Sequence, residues 1–238
     1  MVSRVFIYHP SILADYPTIR AAVVHAAGVD NPPSPDTLRR AYREEQKGVV
    51  AQLTGTAPAE LDSIAAWRRV FSRFGAKPTQ YRNAAEALLR RLTKQGDIPS
   101  ISTLVDIGNM VAIRHALPVA AVDRDGISGG LTVRFATGEE PFTDLGASES
   151  VQPEPGEVVF VDESGRVHAR RWCWRQSAQS ATGPETTDVF YVVEGHHGGA
   201  ERSVADAADD LASLLATHLP SARVERWLLD PDRPSAPS

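Results

Sequence analysis

The second half of the chain is a succession of short apolar runs separated by turn residues, and this order constrains the fold more than any other feature. The runs are PVAAVD, LTVRFAT, EVVFVD, VHARRWCWR and DVFYVVEG, each rich in β-branched or aromatic residues. They do not alternate regularly with long helices, which disfavours a doubly wound parallel sheet. The pattern predicts an α+β fold, in which a sheet or sandwich is surrounded by helices.

Helix signals dominate the first half, after two β-like runs at residues 2–8 and 21–29. Three helices are predicted from N-cap, proline and glycine signals; they begin after Ser34, at Pro58 and after Asn83. A fourth helix is predicted over ISTLVDIGNMVAIRHAL, and a last one from Ser203 to Leu215. The run RVERWLL predicts a final strand.

Composition restricts the class of protein. The 238 residues are 42% hydrophobic and 23% charged, which is ordinary for a globular protein with a sizeable core. Cys173 is the only cysteine, so an internal disulfide or a cysteine-based metal cluster is excluded, and a reducing cytoplasm is the expected location. No segment has the roughly 20 apolar residues that a transmembrane helix needs, so no membrane association is expected.

No cofactor or metal is predicted. The chain has no phosphate-binding loop, no dinucleotide-binding fingerprint and no HExxH helix. His196 and His197 are adjacent, but neighbouring residues of a strand point to opposite faces and no third ligand is placed by spacing.

Basic residues are concentrated in one segment although the net charge of the chain is −5. Only one acid, Glu86, accompanies these residues, which predicts an RNA-binding surface. The alternative is that they coat solvated helix faces. The predicted RNA-binding residues are Arg68, Arg69, Arg73, Lys77, Arg82, Arg90, Arg91 and Lys94.

Polar residues within apolar elements are the first candidates for a site. Asp106 and Asn109 are three residues apart and share a helix face, so they either position a ligand or tie the helix to neighbouring loops. Arg134 lies within a predicted strand, where it either holds an anionic ligand or pairs with an acid. The candidate partners are Asp123, Glu139 and Glu140.

A second group of candidates ends the predicted strand at residues 167–177. Trp174, Arg175, Gln176 and Ser177 offer a flat wall and several hydrogen-bond donors, a composition suited to a small polar ligand or a terminal base. Ser177 has no surrounding nucleophile elbow, so a serine-based triad is disfavoured. Cys173 is interpreted as a small core residue rather than a nucleophile.

The segment LVDIGNMVAIRHALPVAAVDRDGISGGLTVRFATGEE carries a family resemblance. Its VD-x-x-N helix, its leucine-proline step, the aspartate after a strand, the G-G-hydrophobic strand and the R-x-A-x-GE turn occur in this order. In this it resembles the B3/B4 domain of the bacterial-type phenylalanyl-tRNA synthetase beta subunit, over roughly residues 77–195. The implied organisation is an N-terminal extension at 1–76 within the same globular unit, a B3/B4-like domain at 77–229 and a disordered tail at 230–238.

The resemblance implies a proofreading pocket, because the synthetase domain hydrolyses tyrosine wrongly esterified to tRNA. That domain has a glycine-rich segment ending in a glutamate that reads the tyrosine hydroxyl. This chain instead has RRWCWRQSAQSATG, which is similar to free-standing relatives and leaves the amino acid unassigned.

Three hypotheses for function follow. The first is a free-standing hydrolase of mischarged aminoacyl-tRNA, with Arg175, Ser177 and Asn109 in catalysis and with substrate contacts from Trp174, Gln176, Arg134, Glu139 and Asp106. The second is a non-catalytic module that binds RNA or an amino acid. The third is a hydrolase or binding protein for an unrelated small amino-acid derivative. The oligomeric state is not predicted.

Overall fold

Residues 4–237 are described by a computed structural model, and over them the chain forms six α-helices and ten strands. The helices are α1 (Pro10–Asp15), α2 (Asp36–Gln52), α3 (Asp62–Arg73), α4 (Ala84–Gln95), α5 (Thr103–His115) and α6 (Ala200–His218). The strands are β1 (Arg4–Tyr8), β2 (Arg20–Ala27), β3 (Val119–Asp123), β4 (Leu131–Phe135), β5 (Val158–Val161), β6 (Val167–Arg170), β7 (Arg175–Gln176), β8 (Asp188–Gly195), β9 (Arg223–Leu229) and β10 (Ser235–Pro237).

The strands form two sheets. A six-stranded sheet has the order β10-β1-β4-β5-β6-β7, and a four-stranded sheet has the order β3-β8-β2-β9. β1 and β4 are parallel, and the other neighbours are antiparallel. The α+β class predicted from the sequence is confirmed.

The two sheets pack face to face. One core cluster contains Val133 and Phe160 of the six-stranded sheet together with Val23 and Val192 of the four-stranded sheet. Such a shared core is what buries the inner faces of a sandwich. α3 contributes Trp67 and neighbouring side chains to the same cluster.

Helices cover the other face of the four-stranded sheet. Val24 of β2 and Tyr191 of β8 lie in a second core cluster with side chains of α2, α4, α5 and α6. Gly108 lets α5 lie close to this sheet, because a Cβ there would be 3.3 Å from Cε1 of Tyr191. The close approach fixes the neighbouring Asn109 beside β3.

Both sheets contain strands from either side of residue 76. β1 pairs with β4, and β2 lies between β8 and β9. The first 76 residues therefore supply strands to the same sandwich as the rest of the chain.

Two sequence-based expectations are wrong in detail. Composition predicts disorder over residues 230–238, but Ser235–Pro237 form β10, which pairs with β1. An edge strand tolerates proline because one side of it needs no hydrogen-bond partner, so composition alone misleads here. The last residue, Ser238, lies outside the described part of the chain.

The strand expected at residues 167–177 is interrupted. It ends at Arg170 and resumes at Arg175, with a turn between them in which Arg171 and Trp172 have φ of 44° and 63°. Such left-handed conformations are costly for bulky residues and persist only where surrounding contacts hold them. The expected single strand over residues 167–177 is therefore wrong.

Candidate functional site

The two sheets leave a small cavity between their edges. β3 ends the four-stranded sheet and β7 ends the six-stranded sheet, and residues of both strands line the cavity. The amide Nε2 of Gln176 crosses between the edges and donates to the backbone oxygen of Ala121 at 2.7 Å and to that of Ser180 at 2.9 Å. We call the opening between the edges of β3 and β7, which the side chain of Gln176 spans, the mouth of the sandwich.

The inner cavity has a volume of about 70 Å³. A single water needs only about 10 to 15 Å³ of such space, so the cavity is large enough for several waters or a compact side chain. Most of its walls are apolar, and the residues that line it include Pro118, Val119, Ala120, Phe160, Ala169, Trp172, Cys173 and Val192.

One carboxylate lines this apolar cavity. Glu194 is 2% exposed, and its Oε1 accepts hydrogen bonds from the phenol of Tyr8 at 2.5 Å and from the indole Nε1 of Trp172 at 2.7 Å. Oε2 accepts no hydrogen bond from residues 4–237. This oxygen is therefore free to accept a hydrogen bond from a group that enters the cavity.

The interrupted strand explains how Trp172 reaches Glu194. In the left-handed turn the backbone N–H of Trp172 donates to the backbone oxygen of Val158 at 2.6 Å, and the indole ring is fully buried. The backbone oxygen of the next residue, Cys173, accepts from the N–H of Ala84 at 2.9 Å. The turn therefore fixes the indole on the carboxylate and joins the first residue of α4 to the cavity wall.

Burial sets the protonation of the groups around the cavity. It raises the pKa of Glu194 to about 7, although the hydrogen bonds from Trp172 and Tyr8 act in the opposite direction. It also raises the pKa of the Cys173 thiol well above its usual value, and the neighbouring Glu194 adds to this effect. The thiol is therefore held in its protonated, weakly nucleophilic form.

A neutral histidine lies behind the carboxylate. Burial lowers the pKa of His196 to about 3, and His197 and Arg20 act in the same direction. Its ring packs edge-on against Trp67 and Trp172, with ring centres 4.6 and 5.2 Å apart. Its Nδ1 is 3.1 Å from the hydroxyl of Thr18, and within the described chain its buried Nε2 has no partner.

An outer groove of about 370 Å³ lies on the other side of β3. Val119 and Gln176 line both spaces, so the groove and the inner cavity meet at the mouth. Asn109 of α5 lines the groove, and the exposed side chains of Ile101 and Leu145 form its rim. The groove offers amide groups and apolar surface beside the cavity.

The structure thus brings four predicted site residues to the mouth. Gln176 and Asn109 line the groove, while Trp174 and Arg175 line the cavity together with Gln176. Arg175 is half exposed, and its guanidinium lies 5.2 Å from the Trp174 ring centre and 3.8 Å from the carboxylate of Asp144.

Two other predicted residues are buried in structural contacts. Asp106 is fully buried; its Oδ2 accepts from the hydroxyls of Ser34 and Ser100, and its Oδ1 accepts from the N–H of Ile101. Ser177 is also fully buried, and its hydroxyl caps the turn at 178–180 by accepting from the N–H of Gln179. Neither side chain lines the groove or the cavity, so both are corrected to structural residues.

Arg134 and Glu139 lie away from the mouth. Arg134 donates to Glu140 at 2.5 Å, and this carboxylate also accepts from the backbone of Thr137 and Gly138. These contacts lower the pKa of Glu140 to about 2 against the effect of its burial. Glu139 is exposed in the same turn. The ion pair that the sequence offered as an alternative is formed, and the substrate-binding assignment of these two residues is corrected.

The basic segment is partly committed to internal contacts. Arg68 donates to the buried carboxylate of Glu86 at 2.8 Å, and Arg82 lies 3.8 Å from it. Arg90 is half-buried. The exposed members are Arg69, Arg73, Lys77, Arg91 and Lys94.

This segment adjoins the mouth. The ring of Tyr81 packs edge-on against that of Trp174 at 4.9 Å, and the guanidinium of Arg171 lies 4.0 Å from the Tyr81 ring centre. Ala84, at the start of α4, lines the inner cavity.

Comparison with protein families matches residues 66–219 to the B3/4 domain, which is well over half of the chain. The chain belongs to the B3/4 domain family. Relatives include the phenylalanine–tRNA ligase beta subunit of Mycobacterium leprae, 41% identical over 140 residues, and that of Yersinia pestis, 33% identical over 102 residues. These matches cover 59% and 43% of this chain but only 15% and 13% of the relatives, so the chain spans a small part of their length.

A solved structure also aligns with this B3/4 domain protein. It is an N-terminal fragment of the phenylalanyl-tRNA synthetase beta subunit from Pyrococcus horikoshii, with a TM-score of 0.46 and 14% sequence identity. The alignment covers 94% of this chain and 52% of the fragment.

Sequence reasoning missed Tyr8 and Glu194, and it considered His196 only as a metal ligand. Glu194 had a signal in the sequence, because it follows Phe190 and Val192 on the same face of an apolar strand. An acid at such a position needs partners or a function. Tyr8 had no comparable signal, since its proximity to Glu194 depends on how the two sheets pack.

Two further findings concern the described residues as a whole. No group of three or more histidine, cysteine, aspartate or glutamate side chains is arranged to hold a metal ion within 4–237. Over the same range, no helix has the length and apolar character needed to cross a membrane.

Proposed function

We propose that this B3/4 domain hydrolyses the ester bond of mischarged aminoacyl-tRNA, acting on tRNA that another protein has charged. The observation that carries the proposal is the mouth, where the amides of Asn109 and Gln176 lie beside a cavity of amino-acid side-chain size. The family relationship to phenylalanine–tRNA ligase beta subunits supports tRNA as the partner.

The reaction would proceed by attack of water on the ester. A bond forms between the water oxygen and the carbonyl carbon, the bond from that carbon to the ribose oxygen breaks, and the ribose oxygen takes a proton. Asn109 and Arg175 offer donors at the mouth to orient the carbonyl and stabilise its developing negative charge, while Gln176, whose Nε2 donates to the backbone oxygens of Ala121 and Ser180, holds the two sheet edges together there. An aminoacyl ester is already activated, so positioning supplies much of the rate enhancement.

Water is favoured as the nucleophile because neither Cys173 nor Ser177 has an activated side chain. The Cys173 thiol has a pKa raised by burial, and the Ser177 hydroxyl is buried in the cap of a turn. Neither matches the activated nucleophile of a covalent hydrolase.

The basic segment next to the mouth supports contact with the tRNA backbone. Exposed Lys77 lines a depression with Tyr81 and Arg171, and Tyr81 packs against Trp174 of the mouth. Lysine and arginine side chains bind phosphates, and aromatic rings stack on unpaired bases. The terminal nucleotides of a tRNA acceptor end combine both features.

A binding module without catalysis is the second candidate. It is favoured by the lack of a nucleophile and general base within hydrogen-bond distance among the described residues of the mouth. This candidate predicts that the domain retains an aminoacylated tRNA without cleaving it.

The deciding experiment follows ester loss from a pool of correctly charged and mischarged tRNAs, with and without the protein. Selective loss of one ester, reduced in Asn109→Ala and Gln176→Ala, would support hydrolysis. Arg223→Ala is a matched control, because Arg223 is exposed on β9 at the opposite edge of the four-stranded sheet from β3. Retention of the esters with saturable binding would favour the binding module.

A further inference from the structure

The outer groove is the part of the site whose occupant the proposed function leaves open. It has a volume of about 370 Å³ and meets the inner cavity at Val119 and Gln176. A second groove of about 470 Å³ continues from it, because Ile101 and Thr182 line both. Ligand sites typically occupy about 300 to 1,000 Å³, so a chemical group that leaves the mouth in this direction has room to bind.

The outer groove has no charged lining. Every side chain that lines it, among the residues that the structure describes, is apolar or an uncharged polar group. The cations Lys77 and Arg171 lie instead in the depression beside Tyr81, which shares no lining residue with the groove. Phosphates bind mainly through cations, so the RNA strand belongs on the Tyr81 side of the mouth. The groove is left for a neutral group.

The groove also borders the edge of β3, the end strand of the four-stranded sheet. The N–H of Glu194 in β8 donates to the carbonyl of Pro118 at 3.4 Å, so Pro118 and every second residue after it face β8. The residues between them direct their backbone groups the other way, and the carbonyl of Ala121 accepts from Gln176 there. The backbone N–H and C=O of Val119 therefore face the groove that Val119 lines.

The charge at the mouth disfavours an α-ammonium group. Arg175 lines the cavity there, and a second positive charge beside it is repelled. Within residues 4–237, Glu194 is the only carboxylate that lines the cavity or the groove, and it is buried and accepts from Tyr8 and Trp172. An uncharged amide nitrogen avoids the repulsion from Arg175. The electrostatics therefore favour an α-nitrogen that is acylated.

We propose that the outer groove binds an acyl group on the α-nitrogen of the amino acid, so that the site prefers N-acylaminoacyl esters, including peptidyl esters, to esters with a free α-amine. This rests on the proposed function, which places the ester at the mouth. The acyl carbonyl accepts from the N–H of Val119, and a longer peptide adds along the edge of β3. The carbon atoms of the acyl group pack between Ile101 and Leu145, whose exposed side chains form the rim.

Matched probes with and without the acyl group test this preference. They are 3′-aminoacylamino-3′-deoxyadenosines with alanyl, N-acetylalanyl and N-acetylglycylalanyl groups, in which a stable amide replaces the ester. Calorimetry with the whole protein measures their affinities at neutral pH. We expect N-acetylalanyl to bind about tenfold more tightly than alanyl, and N-acetylglycylalanyl at least as tightly as N-acetylalanyl. An α-amine loses its charge near pH 8, so raising the pH to about 9 should strengthen the binding of alanyl alone.

The rim of the groove is tested by Leu145→Ala and Ile101→Ala. Both side chains are more than half exposed, so their replacement should leave folding intact. Each variant should lower the ratio of N-acetylglycylalanyl to alanyl affinity by about threefold or more, because the acyl group loses apolar contact. Leu228→Ala is the matched control and should keep the ratio, since Leu228 is an exposed leucine on β9, at the opposite edge of the sheet from β3. Arg175→Ala should narrow the difference between N-acetylalanyl and alanyl, because it removes the repelling charge.

The outcomes separate this inference from the proposed hydrolysis, because the probes report binding without cleavage. Equal affinities for alanyl and N-acetylalanyl, a preference for alanyl, or a ratio that neither rim variant changes would overturn the groove assignment, even if aminoacyl esters are cleaved. A preference for the acylated probes that depends on the rim, without ester cleavage, would support the groove and remove the hydrolase. Failure of every probe to bind the folded protein would overturn the groove assignment as well.

Discussion

The phenol of Tyr8, near the beginning of the chain, donates a 2.5 Å hydrogen bond to Oε1 of Glu194, which lies 186 residues later. Tyr8 belongs to the six-stranded sheet and Glu194 to the four-stranded sheet. The bond therefore crosses the interior of the sandwich beside the cavity, and it connects the packing of the sheets to the protonation of the buried acid.

Tyr8→Phe should raise the pKa of Glu194 above its value of about 7, since the hydrogen bond that this variant removes stabilises the carboxylate form. Stability should fall by about 1 kcal/mol at acidic pH, with a larger loss at alkaline pH, where the carboxylate is charged. NMR titration of the Glu194 carboxyl carbon in both proteins checks the shift. An unchanged midpoint would mean that the bond does not stabilise the charged form.

Glu194→Gln should change how stability depends on pH. The folded-state pKa of about 7 exceeds the usual 4.5, so protonated Glu194 contributes stability that is fully present below pH 4.5 and lost as pH rises through 7. Relative to the glutamine variant, the free energy of unfolding of the wild-type protein should fall by about 3 kcal/mol between pH 4.5 and pH 8.

Denaturant unfolding at both pH values measures this difference. The low pKa of His196 has the opposite effect, because stability falls when pH drops below 6.5 and its buried neutral form must compete with protonation in the unfolded chain. His196 is present in both proteins, so its contribution to the unfolding free energy cancels in the comparison. A constant difference between the proteins across this range would contradict the raised pKa.

Arg175→Ala should reduce ester hydrolysis at least tenfold while changing tRNA affinity less than threefold. The guanidinium lies at the mouth, where the proposed function places the ester, so its loss should affect hydrolysis more than tRNA binding. Single-turnover deacylation and equilibrium binding, measured at one salt concentration, separate the two effects. Equal losses in both would remove Arg175 from the ester site, and Arg223→Ala again serves as the control.

Replacing Arg69 and Lys77 with alanine together should weaken tRNA binding and its salt dependence. Each cation that no longer neutralises a phosphate lowers the slope of log affinity against log salt by about 0.7 to 0.9. Both side chains are exposed, so folding should be little affected. Binding titrations between about 50 and 200 mM salt give the slope, and a slope equal to that of Arg223→Ala would exclude these residues from the RNA surface.

Asp106→Ala should destabilise the protein by about 1 to 3 kcal/mol, because it leaves the N–H of Ile101 and two serine hydroxyls without their acceptor. Asn109 lies one helical turn away and is half-buried, so Asn109→Ala should lower the free energy of unfolding less than Asp106→Ala does. Thermal and denaturant unfolding compare the two variants. An equal cost at both positions would show that the buried carboxylate does not hold the loop to α5.

The α+β class and most of the elements are predictable from the sequence because their apolar periodicity is local. Arg223–Leu229 and Ala84–Gln95 follow the predicted bounds closely, and Asn83 caps the helix as its spacing indicates. The short helix Pro10–Asp15 is not predicted, since six residues carry too little periodicity.

The candidate site is predictable only in part, for a different physical reason. Asn109 and Gln176 stand out as polar residues in apolar surroundings, and both lie at the mouth. Ser177 does not line the mouth, because its hydroxyl caps the turn at 178–180. No local sequence pattern predicts the left-handed backbone of Trp172. The partners of Glu194 come from distant segments, which a pattern along one strand does not reveal.

The order of the six-stranded sheet has a practical consequence. β10 and β1 occupy one end of that sheet, and β7 occupies the other, so Arg4 and Pro237 lie across the whole sheet from Gln176. A fluorescent label, an affinity tag or a surface tether attached beside either residue would therefore stand at least four strands away from the opening and leave it accessible, which makes immobilised or labelled forms of the protein suitable for ligand screening.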